Sequence, residues 1–350
     1  MFNRRQWIRW GSGLATSVAV AGLGAPAWVG AQTRLEKSRL VLGVQDLGNM
    51  NQLPLLLGHE LGHFEQEGLQ LQLVEEPDFA WSARRVPSAE LDVLSGCFEK
   101  NLAIWTLGRP HTAFALVSRT PQVVLGVSPT SFRGTPDARD LSGHRIGVTG
   151  LGSVSHMVAQ LVFKRAGLGP ADVRFVDVVS PSQALLAFRH GQVAGLSVAD
   201  PLVSALEQAG EIRVIADMRI PRDAEQVYGG PVPALCLSAS SEFVQRHPRT
   251  CQALTDGLVR TLKWLHTAGP SDIARNVPGY YMQGDRAVYM AAFSKMRHAL
   301  SPDGVIPAAG PATVLRALLR LNPGVETDRI DLARTFTNEF AQRAKARFKA

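Results

Sequence analysis

The sequence has few of the features that mark several common protein classes. Only three of its 350 residues are cysteine, which is too few for a disulfide scaffold. Aromatic residues make up 7% and charged residues 19%, and the basic residues form no run or aromatic-interleaved patch. A nucleic-acid partner is therefore not expected. With 45% hydrophobic residues the chain can bury a core, and its length suggests about two domains.

The amino terminus also lacks acidic residues, whereas Arg4, Arg5 and Arg9 stand within it. An apolar stretch rich in Gly and Ala follows and ends in small residues at Ala31. This order predicts a secretory signal peptide at residues 1–31, cleaved near Ala31, and the Arg4-Arg5 pair resembles the twin-arginine export signal. An uncleaved anchor helix is the alternative. No later segment has the uninterrupted apolar length of a membrane span, so we expect a soluble, exported protein.

Export to an oxidising compartment would permit a disulfide bond. Cys236 and Cys251 could pair and leave Cys97 alone. Alternatively, all three are buried thiols that pack as small hydrophobic residues.

One pattern of elements occurs twice after the predicted signal peptide. RLVLGV at 39–44 reads as a strand and precedes a polar loop, a helix from Leu53 to about His63, a Gly-Leu pair and the strand LQLQLVEE. RIGVT at 145–149 begins the same order, with the loop GLGSVS, a helix of similar length, Gly-Leu and the strand VRFVDVV. A helix and a third strand complete each copy, the third strands starting at Leu91 and Val193. Alternating strands and helices predict an α/β fold with parallel or mixed sheets.

Two similar α/β lobes place their polar loops at the carboxyl ends of strands, where open α/β sheets bind ligands. Apolar strands near 121–127 and 232–238 are natural crossings between the lobes. We therefore expect one lobe of residues 32–127 plus 233–350, a second of 128–232, and a ligand cleft between them. Helical patterns fill most of the remaining chain, at 241–267, about 270–282, 285–299, 311–321 and about 328–349.

Three segments resemble the periplasmic binding proteins for nitrate, sulfonates, taurine and thiamine precursors. They are LPLLLGHELGHFEQEGLQLQLVEE, DLSGHRIGVTGLGSVSHMVAQLVFKRAGLGPADVRFVDV and ALLAFRHGQVAGLSVADP. The likeness extends over nearly all of the chain after the signal peptide, and it departs from the family pattern at residues 78–90, DFAWSARRVPSAE.

This resemblance implies the two-lobed type II periplasmic-binding fold, without catalysis or a cofactor. It implies a monomeric periplasmic protein that delivers a small solute to the permease and ATPase of an ABC importer in the inner membrane. The family's ligand loops correspond here to Gln45–Asn49, Cys97–Glu99, Gly152–His156 and the vicinity of Asp200.

The chemistry of these loops predicts two unlike ends of the cleft. Backbone N–H groups at the helix start and the hydroxyls of Ser153 and Ser155 would hold an anionic or acceptor group, unless these serines only cap the helix. Asp46 and Glu99 offer acceptors for an N–H or ammonium group, although Glu99 could instead be a solvated acid paired with Lys100. We therefore expect an organic solute, such as a taurine-like sulfonate, a zwitterion or a nitrogen heteroaromatic.

Other residues of these loops have further predicted roles. Phe98 would form an apolar wall, Asp200 would be a third acceptor or a helix cap, and Tyr228 would lie at a flexible joint or the cleft edge. The candidate ligand-binding residues are Gln45, Asp46, Asn49, Cys97, Phe98, Glu99, Gly152, Ser153, Ser155, His156, Asp200 and Tyr228.

Two motifs favour other functions. His59-Glu60-Leu61-Gly62-His63 matches the H-E-x-x-H pattern of zinc metalloproteases, but Gly68 and a strand follow too soon for a long helix. GLGSVS from Gly150, with Asp177 after the next strand, approaches the dinucleotide fingerprint but lacks its third glycine. An exported zinc enzyme and a dinucleotide-dependent oxidoreductase are thus the alternatives to a solute-binding protein.

Overall fold

Two five-stranded sheets organise the part of the chain that the structure describes. The structure is a computed structural model that describes residues 34–75, 91–132, 134, 136–282 and 285–350. The predicted signal peptide and the segment 78–90 lie outside these residues. The strands are β1 (Arg39–Val44), β2 (Gln70–Glu75), β3 (Val93–Cys97), β4 (His111–Ser118), β5 (Val123–Val127), β6 (Arg145–Val148), β7 (Arg174–Asp177), β8 (Gly195–Ala199), β9 (Arg213–Asp217) and β10 (Leu235–Ser240).

Both sheets have the same arrangement of strands. The first sheet has the order β2-β1-β3-β10-β4, and the second has the order β7-β6-β8-β5-β9. In the first, β1 runs parallel to β2 and β3, and in the second β6 runs parallel to β7 and β8. An antiparallel strand from elsewhere in the chain then completes each sheet, β10 between β3 and β4, and β5 between β8 and β9. The predicted α/β class with mixed sheets is confirmed.

The strand β5 corrects the predicted lobe boundary. We expected residues 32–127 in the first lobe, but Val123–Val127 forms its hydrogen bonds with β8 and β9 of the second sheet. A boundary that follows the sheets therefore lies before Val123. The division into two lobes itself stays a prediction, and residues 35–350 form one compact unit.

The helices follow the sequence pattern except where a local signal breaks them. They are α1 (Leu53–Glu60), α2 (His63–Gln66), α3 (Phe98–Thr106), α4 (Val154–Arg165), α5 (Pro181–Arg189), α6 (Leu202–Gln208), α7 (Pro221–Tyr228), α8 (Ser241–Arg246), α9 (Pro248–Thr267), α10 (Pro270–Asn276), α11 (Arg286–Met296), α12 (Gly310–Leu321) and α13 (Glu339–Phe348). Among the described residues, none of these helices is both long and apolar enough to cross a membrane.

Three differences from the predicted helices have identifiable causes, two of them local and one a long-range contact. The helix expected from Leu53 to His63 is interrupted by Gly62, whose φ of +67° ends the first segment. Pro248 starts a new helix within the expected 241–267 segment. The tail expected to be helical over 328–349 has one 3-10 turn at Leu332–Arg334 and is α-helical only from Glu339, because Ala113 of β4 exchanges backbone hydrogen bonds with Thr335 and Thr337.

Three large clusters of buried apolar residues pack against the sheets. Two of them each pack against a single sheet, and the third packs against both. The first cluster contains β1, α1, α9 and α11, and another covers the second sheet with α5 and α6. A further cluster joins α3 and Cys236 from the first sheet to α4 and α7 from the second. Buried contacts therefore connect the two halves beside the sheets.

The cysteines are free thiols on different faces of the first sheet. Leu235 and Leu237 of β10 belong to the same apolar cluster as Cys251, whereas Cys236, between them, belongs to the cluster on the opposite face. Successive side chains of a strand point to opposite faces. The sheet therefore separates Cys236 from Cys251, and the structure favours the alternative of buried thiols over a disulfide.

A buried arginine holds the end of the second sheet together. Arg219, with 2% of its side chain exposed, lies after β9 and donates to Asp217 at 2.6 Å, Glu207 at 3.1 Å and Asp200 at 3.2 Å. The other oxygen of Asp200 accepts from the backbone N–H of Ser204 in the first turn of α6, at 2.9 Å. Lys295 of α11 adds a second cation, at 2.6 Å from Glu207. Two cations and one backbone N–H thus face three carboxylates in a largely buried site.

Replacing Arg219 should destabilise the fold strongly. In Arg219→Met the buried carboxylates lose their shared cation, so we expect the free energy of unfolding to fall by about 3–5 kcal/mol, measured by urea unfolding. The matched control is Arg139→Met, because Arg139 pairs with Asp137 at an exposed position. Exposed pairs contribute about 0–1 kcal/mol. Equal losses in the two variants would contradict the role assigned to the Arg219 cluster.

Candidate functional site

A cavity lies where the carboxyl ends of strands from the two sheets come together. Its volume is about 240 Å³. It is lined from the first sheet by the loops after β1, β3 and β4, and from the second by the loop after β6 and by Ala199 at the end of β8. The polar lining residues are Gln45, Asp46, Asn49, Asn51, Gln52, Ser95, Cys97, Glu99, Lys100, Ser118, Thr120, Thr149, Ser153 and Ser155.

The second-sheet side of the cavity is a small hydroxyl network. The Ser155 hydroxyl accepts from the backbone N–H of Thr149 at 2.9 Å and lies 2.9 Å from the hydroxyls of both Thr149 and Ser153. Ser197 of β8 donates to the carbonyl of Ser155 at 2.8 Å. Because these hydroxyls are fixed by one another, they present a rigid polar surface to the cavity.

The helix α4 begins at this hydroxyl network. Ser153 is its N-cap and accepts from the N–H of His156 at 3.2 Å. The N–H groups of Val154 and Ser155 belong to the first helical turn, where no preceding helical carbonyl can accept from them. Both residues line the cavity. Together with the positive end of the helix dipole, they suit an anionic or acceptor group. Ser153 therefore acts as a cap and also lines the cavity, so the two predicted roles are compatible.

The loop before α4 is held by its own neighbours. Gly152, with a φ of +85°, donates its N–H to Nδ1 of His156 at 2.9 Å. The N–H of Leu151 donates to Asp177 at 2.8 Å. Asp177 was the candidate ribose-binding acid of the dinucleotide alternative. It instead supports the backbone of this loop, so the geometry does not favour a dinucleotide site.

The first-sheet side of the cavity begins with a tight polar turn after β1. Asp46 accepts from the N–H of Gly48 at 2.8 Å, and Asn49 accepts from the N–H of Asn51 at 3.0 Å. Below this turn, Ser95 donates to the side-chain oxygen of the buried Gln52 at 2.7 Å. Part of the hydrogen-bonding capacity of these side chains therefore shapes the turn, and the rest faces the cavity.

Glu99 is the acidic side chain with the most perturbed environment in the cavity. It lies in the first turn of α3, and its Oε1 accepts a long hydrogen bond of 3.4 Å from the hydroxyl of Tyr228. Its Oε2 is buried and has no hydrogen-bond partner among the described residues. Burial raises the pKa of Glu99 to about 7, although a backbone hydrogen bond and the Tyr228 hydroxyl act in the opposite direction.

The neighbours of Glu99 are also shifted toward their neutral forms. Burial, and then the charge of Glu99, raises the pKa of the Cys97 thiol to about 12. Burial lowers the pKa of Lys100 to about 8. Since the thiolate is the reactive form of cysteine, Cys97 is a neutral lining group and a poor nucleophile.

The structure brings together most of the predicted site residues. Those that line the cavity are Gln45, Asp46, Asn49, Cys97, Glu99, Gly152, Ser153 and Ser155. Tyr228 is buried, not at a cleft edge, and contacts the site through Glu99.

Besides Tyr228, three predicted site residues do not line the cavity. Phe98 is fully buried in the apolar cluster shared by the two sheets, so it is not a wall of the site. His156 points back toward the loop, where it contacts the ring of Phe175 and accepts from Gly152. Asp200 binds Arg219 and the N–H of Ser204, so the helix-cap alternative describes it and the acceptor role does not.

Several lining residues were not predicted from the sequence. Ser118, Thr120 and Pro121 lie in the connection from β4 to β5 and reach the cavity because the chain crosses there between the sheets. Lys100 also lines the cavity, whereas the sequence predicts for it only an ion pair with Glu99. The polar residues within the otherwise apolar stretch 111–127 could have indicated that the chain leaves the first sheet there and crosses to the second.

The H-E-x-x-H letters do not form the helical zinc motif. His59 and Glu60 end α1, whereas Gly62 breaks the helix and His63 begins α2. Nδ1 of His63 lies 2.9 Å from the hydroxyl of Thr261. The motif requires two histidines one turn apart on a continuous helix. Within the described ranges, no group of three or more His, Cys, Asp and Glu residues is placed to hold a metal ion.

Comparisons with known proteins show which families and folds this chain resembles. A family model described as the NMT1-like family matches residues 125–277. The alkanesulfonate-binding protein SsuA from Xanthomonas axonopodis pv. citri, bound to MOPS, is 20% identical with a TM-score of 0.67, and the match covers 87% of this chain and 100% of that chain. The periplasmic nitrate-binding protein NrtA from Synechocystis PCC 6803 is 11% identical with a TM-score of 0.68, and the match covers 90% of each chain.

These identities establish a shared fold, and the predicted periplasmic-binding fold is confirmed. No curated protein matches the sequence. A solved structure from Bordetella bronchiseptica RB50 is 38% identical with a TM-score of 0.81, and the match covers 91% of this chain and 100% of that chain. Because this likeness extends over the whole of that protein, the chain belongs to the same family as that protein, and its residues 125–277 match the NMT1-like family model.

Proposed function

We propose that this protein is the periplasmic solute-binding component of an ABC importer, and that it is not an enzyme. In this role it binds a small organic solute as a monomer and delivers it to the permease and ATPase of the inner membrane. The observation that carries the proposal is the cavity of about 240 Å³ between the carboxyl ends of two sheets, with polar groups from both. The related fold of an alkanesulfonate-binding protein supports a sulfonate as one of the candidate ligands.

The size of the cavity favours a small solute. Its volume is below the roughly 300–1,000 Å³ of sites for drug-sized ligands. Apolar side chains also contribute to its lining, among them Val154, Met157 and Leu318. A short carbon skeleton with a polar group at each end suits such a cavity better than a fully hydrated ion.

The two sides of the cavity favour a solute with two different ends. The start of α4 and the hydroxyls of Ser153 and Ser155 favour a sulfonate, carboxylate or other acceptor. Asp46 and Glu99 on the other side favour an N–H or ammonium group and repel an anion at close range. Taurine-like sulfonates, other zwitterions and nitrogen heteroaromatics meet both requirements, whereas nitrate and sulfate have no donor to offer.

We place the pivot of a closing motion at the apolar cluster shared by the two sheets. Helix α12 packs against this cluster, and its Leu318 also lines the cavity. Packed helices can slide by small amounts without separating, so the cluster can keep the halves together while the polar cavity opens and closes.

Titration calorimetry tests the proposed solute class. Taurine should bind more tightly than nitrate or sulfate, and Glu99→Ala should narrow this difference. Loss of a hydrogen bond to a buried charged group costs about 1–3 kcal/mol, which is roughly ten- to hundredfold in affinity. The matched control is Glu326→Ala, because Glu326 is exposed in the loop after α12. Tight nitrate binding that is unchanged in Glu99→Ala would contradict the proposed cavity chemistry.

Small-angle X-ray scattering tests the closing motion. The radius of gyration should decrease when taurine is added at saturating concentration, because the two halves rotate toward each other around the solute. At a taurine concentration that saturates the wild-type protein but not Glu99→Ala, the radius of gyration of the variant should decrease less. Identical scattering profiles of the wild-type protein with and without bound taurine would contradict the motion.

A further inference from the structure

The carboxyl group of Glu99 is only half satisfied by the protein. Its Oε1 receives the Tyr228 hydroxyl at 3.4 Å, whereas its Oε2 is buried without a partner among the described residues. A carboxylate in such a place carries an uncompensated charge in a medium of low polarity. Burial accordingly raises the pKa of Glu99 to about 7, so a large fraction of the empty protein holds a proton there at neutral pH.

The groups around Glu99 do not remove this penalty. The side chains that face it are Cys97 at the end of β3, Cys236 of β10 and Tyr228 at the end of α7, and burial holds all three in their neutral forms. Lys100 follows Glu99 on α3 and lines the cavity. Burial lowers its pKa to about 8, so it is still mostly charged at pH 7, but it is not among the groups that lower the pKa of Glu99. On α12, the guanidinium of Arg320 donates to the carbonyl oxygen of Tyr228. His111 and Ser118 are the two ends of β4. Ser118 lines the cavity, and His111 therefore lies at the end of the strand away from it.

We propose that solute binding at this cavity is coupled to release of one proton from Glu99. In the empty cavity Oε2 carries the proton, and an ammonium or N–H end of the solute takes its place as the hydrogen-bond donor to the carboxylate. The proton leaves to the solvent. The inference rests on the proposed function, and it adds that the affinity for a donor-bearing solute depends on pH.

The sign of the dependence follows from the proton that is released. Below the pKa of the empty site, binding must first remove the proton, so affinity rises as pH rises. Above that pKa the carboxylate is already ionised, and affinity no longer changes. With a midpoint at about 7, affinity for a cationic donor should increase about tenfold between roughly pH 6 and pH 8. A solute that placed an anion against Glu99 would show the opposite sign, because it would take up a proton.

Tyr228 is the positioning residue for this carboxyl group. It is buried, with 1% of its surface exposed, and its carbonyl is held by Arg320 of α12. Its hydroxyl donates to Oε1 and leaves Oε2, which is buried, as the oxygen without a donor among the described residues. Since this hydrogen bond lowers the pKa of Glu99, Tyr228→Phe should raise it further and should shift the pH dependence of binding upward.

The first test needs no solute. The protein is labelled with ¹³C at the glutamate carboxyl carbon, and NMR follows its resonances between about pH 4 and pH 9. Glu99→Gln identifies the resonance of Glu99. We expect its midpoint at about 7 and a higher midpoint in Tyr228→Phe. A Glu99 midpoint near the ordinary value of 4.5 would overturn the proposal, and an unchanged midpoint in Tyr228→Phe would overturn the role of Tyr228.

The second test uses two probes that differ by one ammonium group. Taurine and ethanesulfonate share a sulfonate and a two-carbon skeleton, and the ammonium of taurine stays charged over the pH range. Calorimetry at about pH 6 and pH 8, in buffers of different ionisation enthalpy, gives both the affinity and the number of protons released. We expect taurine alone to gain about tenfold in affinity at the higher pH, with proton release at the lower pH, and Glu99→Gln to abolish both effects.

The outcomes separate this inference from the proposed function. If taurine binds with the same affinity at both pH values and releases no proton, the inference is wrong and the solute-binding proposal stands. A pH dependence that persists in Glu99→Gln also overturns the inference, because another group then releases the proton. If no organic solute of the proposed classes binds, the proposed function fails, and the NMR midpoint still decides whether Glu99 holds the proton in the empty cavity.

Discussion

The structure depends on the exchange of one antiparallel strand between the two halves of the chain. β10 supplies the hydrogen bonds that β3 and β4 would otherwise lack, and β5 does the same for β8 and β9. Because buried backbone groups must be paired, neither sheet is complete without the other half. The exchange also builds the cavity. Leu235 of β10 is in register with both Cys97 and Ser118, so it brings the ends of β3 and β4 to the same place in the cavity lining.

Elements with strong local signals could be predicted from the sequence. The repeated order of strand, polar loop, helix and Gly-Leu identified the parallel strands of both sheets, and β1 has the predicted bounds. β4 and β9 were not predicted, because the two copies of the repeat do not contain them. They pair with the exchanged strands, and that pairing is a long-range contact. The tail after Asp328 has helical periodicity, but pairing of Thr335 and Thr337 with Ala113 of β4 prevents a continuous α-helix before Glu339.

The sequence predicted which segments line the cavity better than it predicted which partner each side chain binds. The ends of strands were the correct regions, since the loops after β1, β3 and β6 all line the cavity. Asp200 also follows a strand, but Arg219 from the end of β9 takes its carboxylate. Similarly, the Glu99 environment depends on Tyr228, which comes from α7 beside the second sheet. Such assignments depend on partners distant in sequence, and hydrophobic patterning carries no information about them.

Polar groups of the cavity that already have a hydrogen-bond partner in the protein contribute differently to solute binding from those that have none. The hydroxyls of Thr149, Ser153 and Ser155 satisfy one another and therefore fix the shape of the site. A solute gains little by competing for hydrogen bonds that the protein already makes, because it must break one to form another. It gains more at the first-turn N–H groups of α4, which have no helical acceptor, and at the carboxyl group of Glu99, whose Oε2 is buried without a hydrogen bond among the described residues. These two places demand an acceptor and a donor respectively. Selectivity in this site therefore follows from what the protein leaves unpaired, and a solute with only one of the two functions leaves the other place unsatisfied.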